Sequence, residues 1–161
     1  MNTLPYVPLG KWISILSRYG QMFMTRNLRP YEVGPGQLPV LMTLYDQDGV
    51  SLDTLSKVIV VDKATTTRAV LTLEESGLVT RVTDTLDRRV KRVFLTEKAR
   101  QIKPDIIQTL GVWADVLTSP LTEEETISLI TMLEKVAAAA VEHLNHQEPA
   151  DPPPESKELK L

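Results

Sequence analysis

The spacing of apolar and polar residues along the chain predicts a mainly α-helical protein with one short β-hairpin. Apolar residues recur every three or four positions over residues 9–28, 37–46, 52–58, 62–75, 97–117 and 122–144, which is the period of an amphipathic helix. Two runs rich in β-branched residues, 78–82 and 90–95, are typical of strands and bracket a charged turn. Six helices are therefore expected, with the hairpin between the fourth and the fifth.

Residues with strong positional preferences mark the ends of these helices. Asp62 is a good N-cap for the fourth helix, and Gly77 suits the left-handed turn that ends it. Ser51 caps the third helix, and the preceding Val50 is expected to form a short edge strand. Pro35 is well placed for the first position of the second helix. Pro104, within the fifth helix, is expected to bend it or to mark the end of its first turns.

The fourth helix has two chemically different faces. Its expected packed side consists of Thr66, Ala69, Val70 and Leu73. The opposite side carries Ala64, Thr65, Arg68, Leu71 and Thr72, with Lys63 and Thr67 at its edges. Arg can hydrogen-bond guanine, Thr can donate or accept, and Thr or Ala methyl groups can contact the thymine methyl. Apart from Leu71, this face has the residue types that a helix needs to read the major groove of DNA.

The hairpin tip is strongly basic. Residues 87–92 contain four cations and one anion, and on their own they could be a solvated charged turn. Next to a capped helix with a polar outer face, however, a basic hairpin indicates a winged helix-turn-helix. The net charge of −3 does not contradict this, because residues 62–100 hold nine Lys or Arg against six Asp or Glu, whereas residues 122–161 hold three against nine.

Several spaced motifs in residues 51–99 resemble the winged-helix core of the MarR family of bacterial and archaeal transcription regulators. The matching pieces are Asp62-Lys63-x-Thr65-x-Thr67-Arg68, Leu73-Glu74-x-x-Gly77-Leu78-Val79, and Asp87-x-Arg89 followed by Leu95-Thr96-Glu97-Lys98. A weaker likeness, in helix layout only, extends over residues 9–144. The chain departs from the family pattern in two places. Residues 58–61 are Val-Ile-Val-Val where the family often has a Gly, and Leu71 stands where relatives often have a polar residue.

The resemblance assigns roles to the helix and the hairpin. In the family, the wing arginine corresponding to Arg89 reaches into the minor groove, and the aspartate corresponding to Asp87 helps to orient it. Arg88 is expected to assist Arg89. The major groove would be read by Thr65, Thr67, Arg68 and Thr72. Phosphates would be held by Ser51, Lys63 and Lys91, the first of these at a helix N-terminus.

The remaining helices carry more apolar surface than a winged helix of about 90 residues can cover, and a second copy of the chain is the simplest partner. The expected organisation is an N-terminal arm and dimerisation helix (residues 1–30), a winged helix-turn-helix DNA-binding domain (31–96), C-terminal dimerisation helices (97–146) and a disordered tail (147–161). A symmetric dimer, which the resemblance also implies, would bind an inverted repeat with half-sites about one helical turn apart.

Other classes of function lack a signal in the sequence. There is no Gly-rich phosphate loop, nucleophile elbow or zinc-ligand spacing, and the two histidines, His143 and His146, are expected to be surface residues. No enzyme activity, cofactor or metal is predicted. With no Cys, no apolar run of about 18 residues and no secretory signal at the N-terminus, a cytoplasmic location is the default.

A small-molecule effector is raised by the resemblance alone. Relatives often bind small aromatic or anionic compounds where the first and fifth helices meet the DNA-binding lobe. In this chain Arg18, Tyr19 and Met22 could line such a cleft, although Tyr19 as a core residue and Arg18 as a surface residue are alternatives. The sequence thus predicts a homodimeric DNA-binding transcription regulator, a repressor released by such an effector. The alternative is a winged-helix module that contacts proteins and does not read DNA.

Overall fold

The structure is a computed structural model that describes residues 8–145. Most of the predicted N-terminal arm, His146 and the predicted disordered tail lie outside the described residues. The chain divides into two compact units, Met1–Val116 and Leu117–Leu161, and each is described by itself. The finer division into four segments that the sequence suggests stays a prediction.

The first unit contains most of the secondary structure. In chain order its elements are α1 (Leu9–Leu28), a short 3-10 turn (Arg29–Tyr31), α2 (Leu38–Asp46), β1 (Val50–Ser51), α3 (Leu52–Val58), α4 (Lys63–Glu75), β2 (Val79–Thr83), β3 (Lys91–Leu95) and α5 (Glu97–Thr118), whose last two residues belong to the second unit. The second unit is formed by α6 (Glu123–Asn145). The predicted fold class, mainly α with a small β-hairpin wing, is confirmed.

The sheet is three-stranded and antiparallel, in the order β1-β3-β2. Val79 pairs with Leu95 at the base of the hairpin, and Thr83 pairs with Lys91 near its tip. On the other side of β3, Val50 pairs with Val93. The strand predicted at Val50 is therefore present, and it ties the start of α3 to the wing.

One apolar core holds the helix-turn-helix and the sheet together. Its fully buried side chains come from every layer and include Leu28, Leu41, Leu44, Leu55, Val70, Leu73, Leu78, Val93 and Ile106. All four residues of the predicted packed face of α4 are buried, among them Thr66, whose hydroxyl donates to the Asp62 carbonyl oxygen at 3.0 Å. Because α4 is fixed along this whole face, its opposite face has a defined orientation.

Helices α3 and α4 end in the same hydrogen-bonded motif. The Leu78 N–H donates to the Leu73 carbonyl at 2.8 Å, across a left-handed Gly77 with φ +68°. After α3, the Val61 N–H donates to the Ser56 carbonyl at 3.1 Å, and the left-handed residue is Val60, with φ +54°. The turn for which the family often uses Gly is thus closed by a β-branched residue in a conformation that L-residues disfavour.

The expectation for Pro35 is wrong, and of the two alternatives for Pro104 the one in which the first turns of α5 end there is excluded. Pro35 lies in a turn, and α2 begins at Leu38 with Pro39 in its first turn. Helix α5 continues through Pro104 and does not stop there. A proline lacks only one backbone donor, and the packing of Ala99 and Ile106 on the core on either side of it keeps the helix formed.

The apolar stripe of α1 is only partly a core element. Met24 and Leu28 are buried, and Phe23 stacks on Trp113 with ring centroids 5.0 Å apart. The N-terminal part of the stripe is exposed, and this face is formed by Leu9, Trp12, Ile13, Leu16 and Tyr19. The reading of Tyr19 as a core residue is wrong, since 58% of it is exposed.

In the second unit, α6 begins with the predicted capping box. The Glu125 N–H donates to the Thr122 hydroxyl at 3.2 Å, and the Thr122 N–H donates to the Glu125 carboxylate at 2.8 Å. The predicted stripe of this helix is exposed throughout, including Ile127, Ile130 and Leu133.

Candidate nucleic-acid interface

The outer face of α4 carries the side chains expected to read bases. Thr65, Arg68 and Thr72 are exposed, whereas Thr67 and Leu71 are half-buried. The Asp62 carboxylate caps the helix by accepting from the Thr65 N–H at 2.9 Å, and this backbone hydrogen bond holds the pKa of the Asp62 carboxyl below its ordinary value. The helix N-terminus is thereby fixed next to the residues that would enter a groove.

The hydroxyl groups on this face already have intrahelical partners. Thr67 donates to the Lys63 carbonyl at 2.7 Å, and Thr72 donates to the Arg68 carbonyl at 3.1 Å. Their protons are therefore engaged, and they offer a ligand a methyl group and oxygen lone pairs. Thr65 differs, because its oxygen accepts from the Arg68 guanidinium at 3.0 Å. This contact fixes the guanidinium on the exposed side of the helix.

The N-terminus of α3 forms a second part of the surface. Ser51 caps it, with its hydroxyl oxygen accepting from the Thr54 N–H at 3.1 Å. In the first turn, the Asp53 carboxylate lies 2.7 Å from the Lys63 ammonium, and the hydrogen bond from Lys63 holds the pKa of the Asp53 carboxyl below its ordinary value. Both side chains are largely exposed, so this ion pair is weak and solvated.

Two aspartates shape the tip of the wing. The Asp84 carboxylate accepts from the Leu86 N–H at 2.8 Å and from the Asp87 N–H at 3.1 Å. It also pairs with the Arg92 guanidinium across the hairpin, and these contacts, the Arg92 hydrogen bond first, lower the pKa of the Asp84 carboxyl to about 2. Asp87 in turn accepts from the Arg89 N–H at 2.9 Å. The contact of Asp87 with Arg89 is thus to its backbone, at the base of the side chain that the resemblance places in the minor groove.

The basic residues of the wing fall into two groups. Arg81 is paired with Glu74 at 2.7 Å, and Arg92 donates to the Gly49 carbonyl at 3.0 Å as well as to Asp84, so both are structural. Arg88 and Arg89 are exposed, and within residues 8–145 neither side chain has a hydrogen-bond or ion-pair partner. Lys91 donates only to the Thr83 hydroxyl. The wing cations that are available to a ligand are therefore Arg88, Arg89 and Lys91, the same three that were predicted from the sequence to contact DNA.

Four of these predicted residues meet in one cleft. Ser51, Lys63, Arg89 and Lys91 line a depression of about 90 Å³, together with Leu52, Asp53 and Val90. Lys63, Lys91 and the Ser51 N-cap around a space of this size form a suitable seat for one phosphate group, and Arg89 lines the same depression. The structure thus brings together residues from α3, α4 and the wing that lie up to 40 positions apart in the chain.

Sequence reasoning missed the residues that organise the wing. Asp84 was not singled out, although its spacing before Leu86 and Asp87 is typical of an Asx turn. Its pairing with Arg92 follows from the hairpin register, in which Thr83 opposes Lys91, and that register could be read only from the fold. Asp53 was also missed, because nothing in the sequence indicates which cation its carboxylate meets.

The predicted effector residues are partly brought together. Tyr19 and Met22 line an open cleft of about 450 Å³ between α1 and α5, with Phe23, Arg26, Asn27 and Trp113 as the other lining residues. Arg18 is not among them. Arg26, one turn beyond Met22, is the cation that faces this cleft, and the i, i+4 spacing from Met22 is the signal that could have identified it.

Residues 8–145 contain no group of three His, Asp or Glu side chains that could hold a metal ion. None of the helices in that range is long and apolar enough to cross a membrane.

Comparison with known proteins identifies the family. The sequence profile of the MarR family matches residues 34–91, which span α2, the helix-turn-helix, β2 and the tip of the wing as far as the first residue of β3. A solved MarR transcriptional regulator from Methanosarcina mazei is 38% identical, with a TM-score of 0.79 over 83% of this chain and 96% of that one. The chain belongs to the MarR family. It is therefore a DNA-binding transcription regulator and not an enzyme, as predicted.

Two further relatives match most of the chain. The HTH-type transcriptional regulator BilQ of Clostridioides difficile is 26% identical over 135 residues, which are 84% of this chain and 91% of that protein. A mutant MarR of E. coli, solved in complex with operator DNA, is 28% identical, with a TM-score of 0.74 over 81% of this chain and 94% of that one.

Proposed function

We propose that this MarR-family protein is a homodimeric repressor that acts in the cytoplasm on an inverted-repeat operator. The observation that carries the proposal is the convergence of Ser51, Lys63, Arg89 and Lys91 on one phosphate-sized cleft, next to the exposed face of α4. In this arrangement Arg68 reads a base in the major groove, assisted by Thr65, Thr67 and Thr72. Arg89 enters the minor groove with Arg88 beside it, and Asp87 holds the backbone of that turn.

The homodimer is supported by the exposed apolar faces. In the first unit, α1 exposes five large apolar side chains in its first eleven residues. In the second unit, α6 exposes its whole apolar stripe. Exposed apolar surface of this extent marks an interaction site, and a second copy of the chain supplies a matching surface. The E. coli relative that was solved with operator DNA supports the use of the helix-turn-helix surface on a duplex.

The test is selection from a random pool of duplexes by the purified protein, with sequencing of the bound fraction at moderate salt. The expected result is an enriched inverted repeat whose half-sites lie about one helical turn apart. Arg68→Ala should lose preference at one position of each half-site, at a cost of about 1–3 kcal/mol for that base pair, whereas Lys91→Ala should weaken all sequences alike. No enrichment, together with protein binding that survives high salt, would instead support the protein-docking alternative.

The cleft between α1 and α5 is the site that we propose for a small aromatic or anionic effector. Tyr19 and Trp113 offer aromatic surfaces, Met22 offers an adaptable apolar one, and Arg26 offers a charge for a carboxylate. Benzoate at 100 times its dissociation constant should stabilise the protein by about 2.7 kcal/mol, seen as a rise in melting temperature. Arg26→Ala should abolish the rise, and Arg29→Ala, a nearby cation outside the cleft, should not. An unchanged melting temperature of the wild type across aromatic acids would contradict the effector site.

A further inference from the structure

Leu86 occupies an unusual position for an apolar residue. It lies at the tip of the wing and is 97% exposed, the highest value among the large apolar side chains of residues 8–145. A single exposed Leu is common on protein surfaces and needs no explanation by itself. Here, however, the side chain stands in the most basic segment of the chain, two and three residues before the unpartnered cations Arg88 and Arg89.

The backbone that carries Leu86 is held in place. Its own N–H is bound by the Asp84 carboxylate at 2.8 Å, and that carboxylate is anchored across the hairpin by Arg92. On the other side, the Val90 N–H donates to the Asp87 carbonyl at 2.9 Å, which closes the turn. The tip thus holds the backbone of Leu86 in a fixed turn, from which the side chain projects into solvent.

The charges around Leu86 determine what can cover it. The negative charge of Asp84 is paired with Arg92, and Asp87 accepts from the Arg89 backbone, whereas Arg88, Arg89 and Lys91 remain available. An apolar side chain at the tip of a turn that also carries available cations matches a surface that is apolar locally and anionic at its borders. The minor groove of DNA has this composition, because apolar deoxyribose edges line its walls and phosphates run along both rims.

We propose that Leu86 is an apolar anchor of the wing, which packs against the deoxyribose walls of the minor groove next to Arg89. This inference rests on the proposed function, because it requires that the wing enters the minor groove. Leu86 adds binding free energy without releasing a counterion. Its contribution is therefore independent of salt, unlike that of the neighbouring cations.

The test compares Leu86→Ala with Arg89→Ala on the selected operator over a range of salt concentrations. Leu86→Ala should weaken binding about fivefold to tenfold, the effect of leaving one Leu side chain partly uncovered, with an unchanged slope of log affinity against log salt. Arg89→Ala should weaken binding and reduce that slope by about one. Val82→Ala is the matched control, since Val82 is an exposed apolar residue of the same hairpin that lies on β2, before the turn that carries Leu86, and it should bind as the wild type does.

Two further readouts make the outcomes distinct. Leu86→Ala should keep the wild-type melting temperature, because the side chain has almost no contact within the fold. In the complex, isotope-labelled Leu86 methyl groups should show nuclear Overhauser contacts to deoxyribose protons of the minor groove. Equal affinity of Leu86→Ala and the wild type, or a change in the salt slope, would overturn the inference and leave the proposed function standing. Failure of the wild type to select any duplex would overturn both.

Discussion

Lys63 illustrates how a single neighbouring residue controls a candidate DNA contact. Its ammonium group lines the phosphate-sized cleft, but in the free protein it is paired with Asp53 at 2.7 Å. The Asp53 carboxylate lines the same cleft, so an incoming phosphate must both displace this ion pair and approach a negative charge. Asp53 is thus expected to weaken DNA binding, whereas its ion-pair partner Lys63 is expected to strengthen it.

Replacement of this carboxylate should tighten DNA binding. Asp53→Asn keeps the shape of the side chain, frees Lys63 and removes one anion from the cleft, so affinity should rise about threefold, in line with the strength of an exposed ion pair. Titration of a labelled duplex followed by fluorescence anisotropy would measure the change. Asp46→Asn makes the same change of charge at the end of α2 and is the control. An equal gain from both variants would mean that net charge, and not the Lys63 pair, is responsible.

At the scale of elements, the wing tip depends on the ionised form of Asp84. The pKa of this carboxyl is lowered from 3.8 to about 2, chiefly by the Arg92 hydrogen bond. Because the folded wing binds the proton more weakly than the unfolded chain does, its stabilisation by Asp84 is complete above about pH 4 and is lost as the pH falls towards 2. The turn that holds Leu86 and the backbone of Arg89 should therefore loosen only in strong acid.

Loss of the Asp84 contacts should weaken DNA binding, although the Asp84 side chain itself is not expected to contact DNA. Asp84→Ala removes the acceptor for two backbone N–H groups, so the tip of the wing must become ordered when it binds DNA. Affinity should fall about tenfold, because the conformational entropy of fixing one or two residues then opposes binding. Amide hydrogen exchange at Leu86 and Asp87 should accelerate in the variant, whereas exchange in the buried part of α4 should not change. Normal protection at the tip would show that Asp84 does not hold the turn.

The turn between α3 and α4 stores backbone strain at Val60. Val60→Gly should raise the free energy of unfolding by about 1 kcal/mol. The left-handed conformation costs an L-residue about 1–2 kcal/mol, and the greater conformational entropy of Gly in the unfolded chain offsets only part of the gain from removing that cost. Chemical denaturation would measure the gain. Val61→Gly, at the next residue, where φ is not positive, should instead destabilise the protein. A loss of stability in Val60→Gly would mean that the exposed Val60 side chain makes a favourable contact.

These elements also show what the sequence could and could not predict. The limits of α4 follow from local chemistry, since Asp62 caps it and Gly77 supplies the left-handed residue that ends it. Its buried face follows from helical periodicity, so its exposed face was predictable too. The choice of Val60 among residues 58–61 for the left-handed conformation, and the pairing of Asp84 with Arg92, were not predictable. They depend on a turn that packing forces on an unsuitable residue, and on a cross-strand partner that hairpin register selects.

At the scale of the whole molecule, the sequence assigned α1 to dimerisation but could not divide its apolar stripe between the core and the surface. Periodicity cannot distinguish a face that packs on the core from a face that packs on a second molecule. The structure separates the two along one helix, because Met24 and Leu28 are buried whereas Trp12, Ile13 and Leu16 are about half exposed. Core packing therefore fixes the end of α1, and its exposed beginning is the part that we propose for the dimer interface.

Disruption of that exposed face should separate the proposed dimer. Leu16→Asp places a charge within the apolar face of α1, where it is solvated in a single chain and desolvated in an interface, so a dimer should dissociate while the monomer stays folded. Sedimentation equilibrium would give the mass, and helical circular dichroism would report folding. Val82→Asp, an equally exposed apolar position on β2, should leave the mass unchanged.

The emission of Trp12 offers a second readout, because burial in a dimer should shift it to shorter wavelength and Leu16→Asp should reverse that shift. A Leu16→Asp protein that retains the mass of a dimer would show that α1 lies outside the interface, and dimerisation would then have to use another surface.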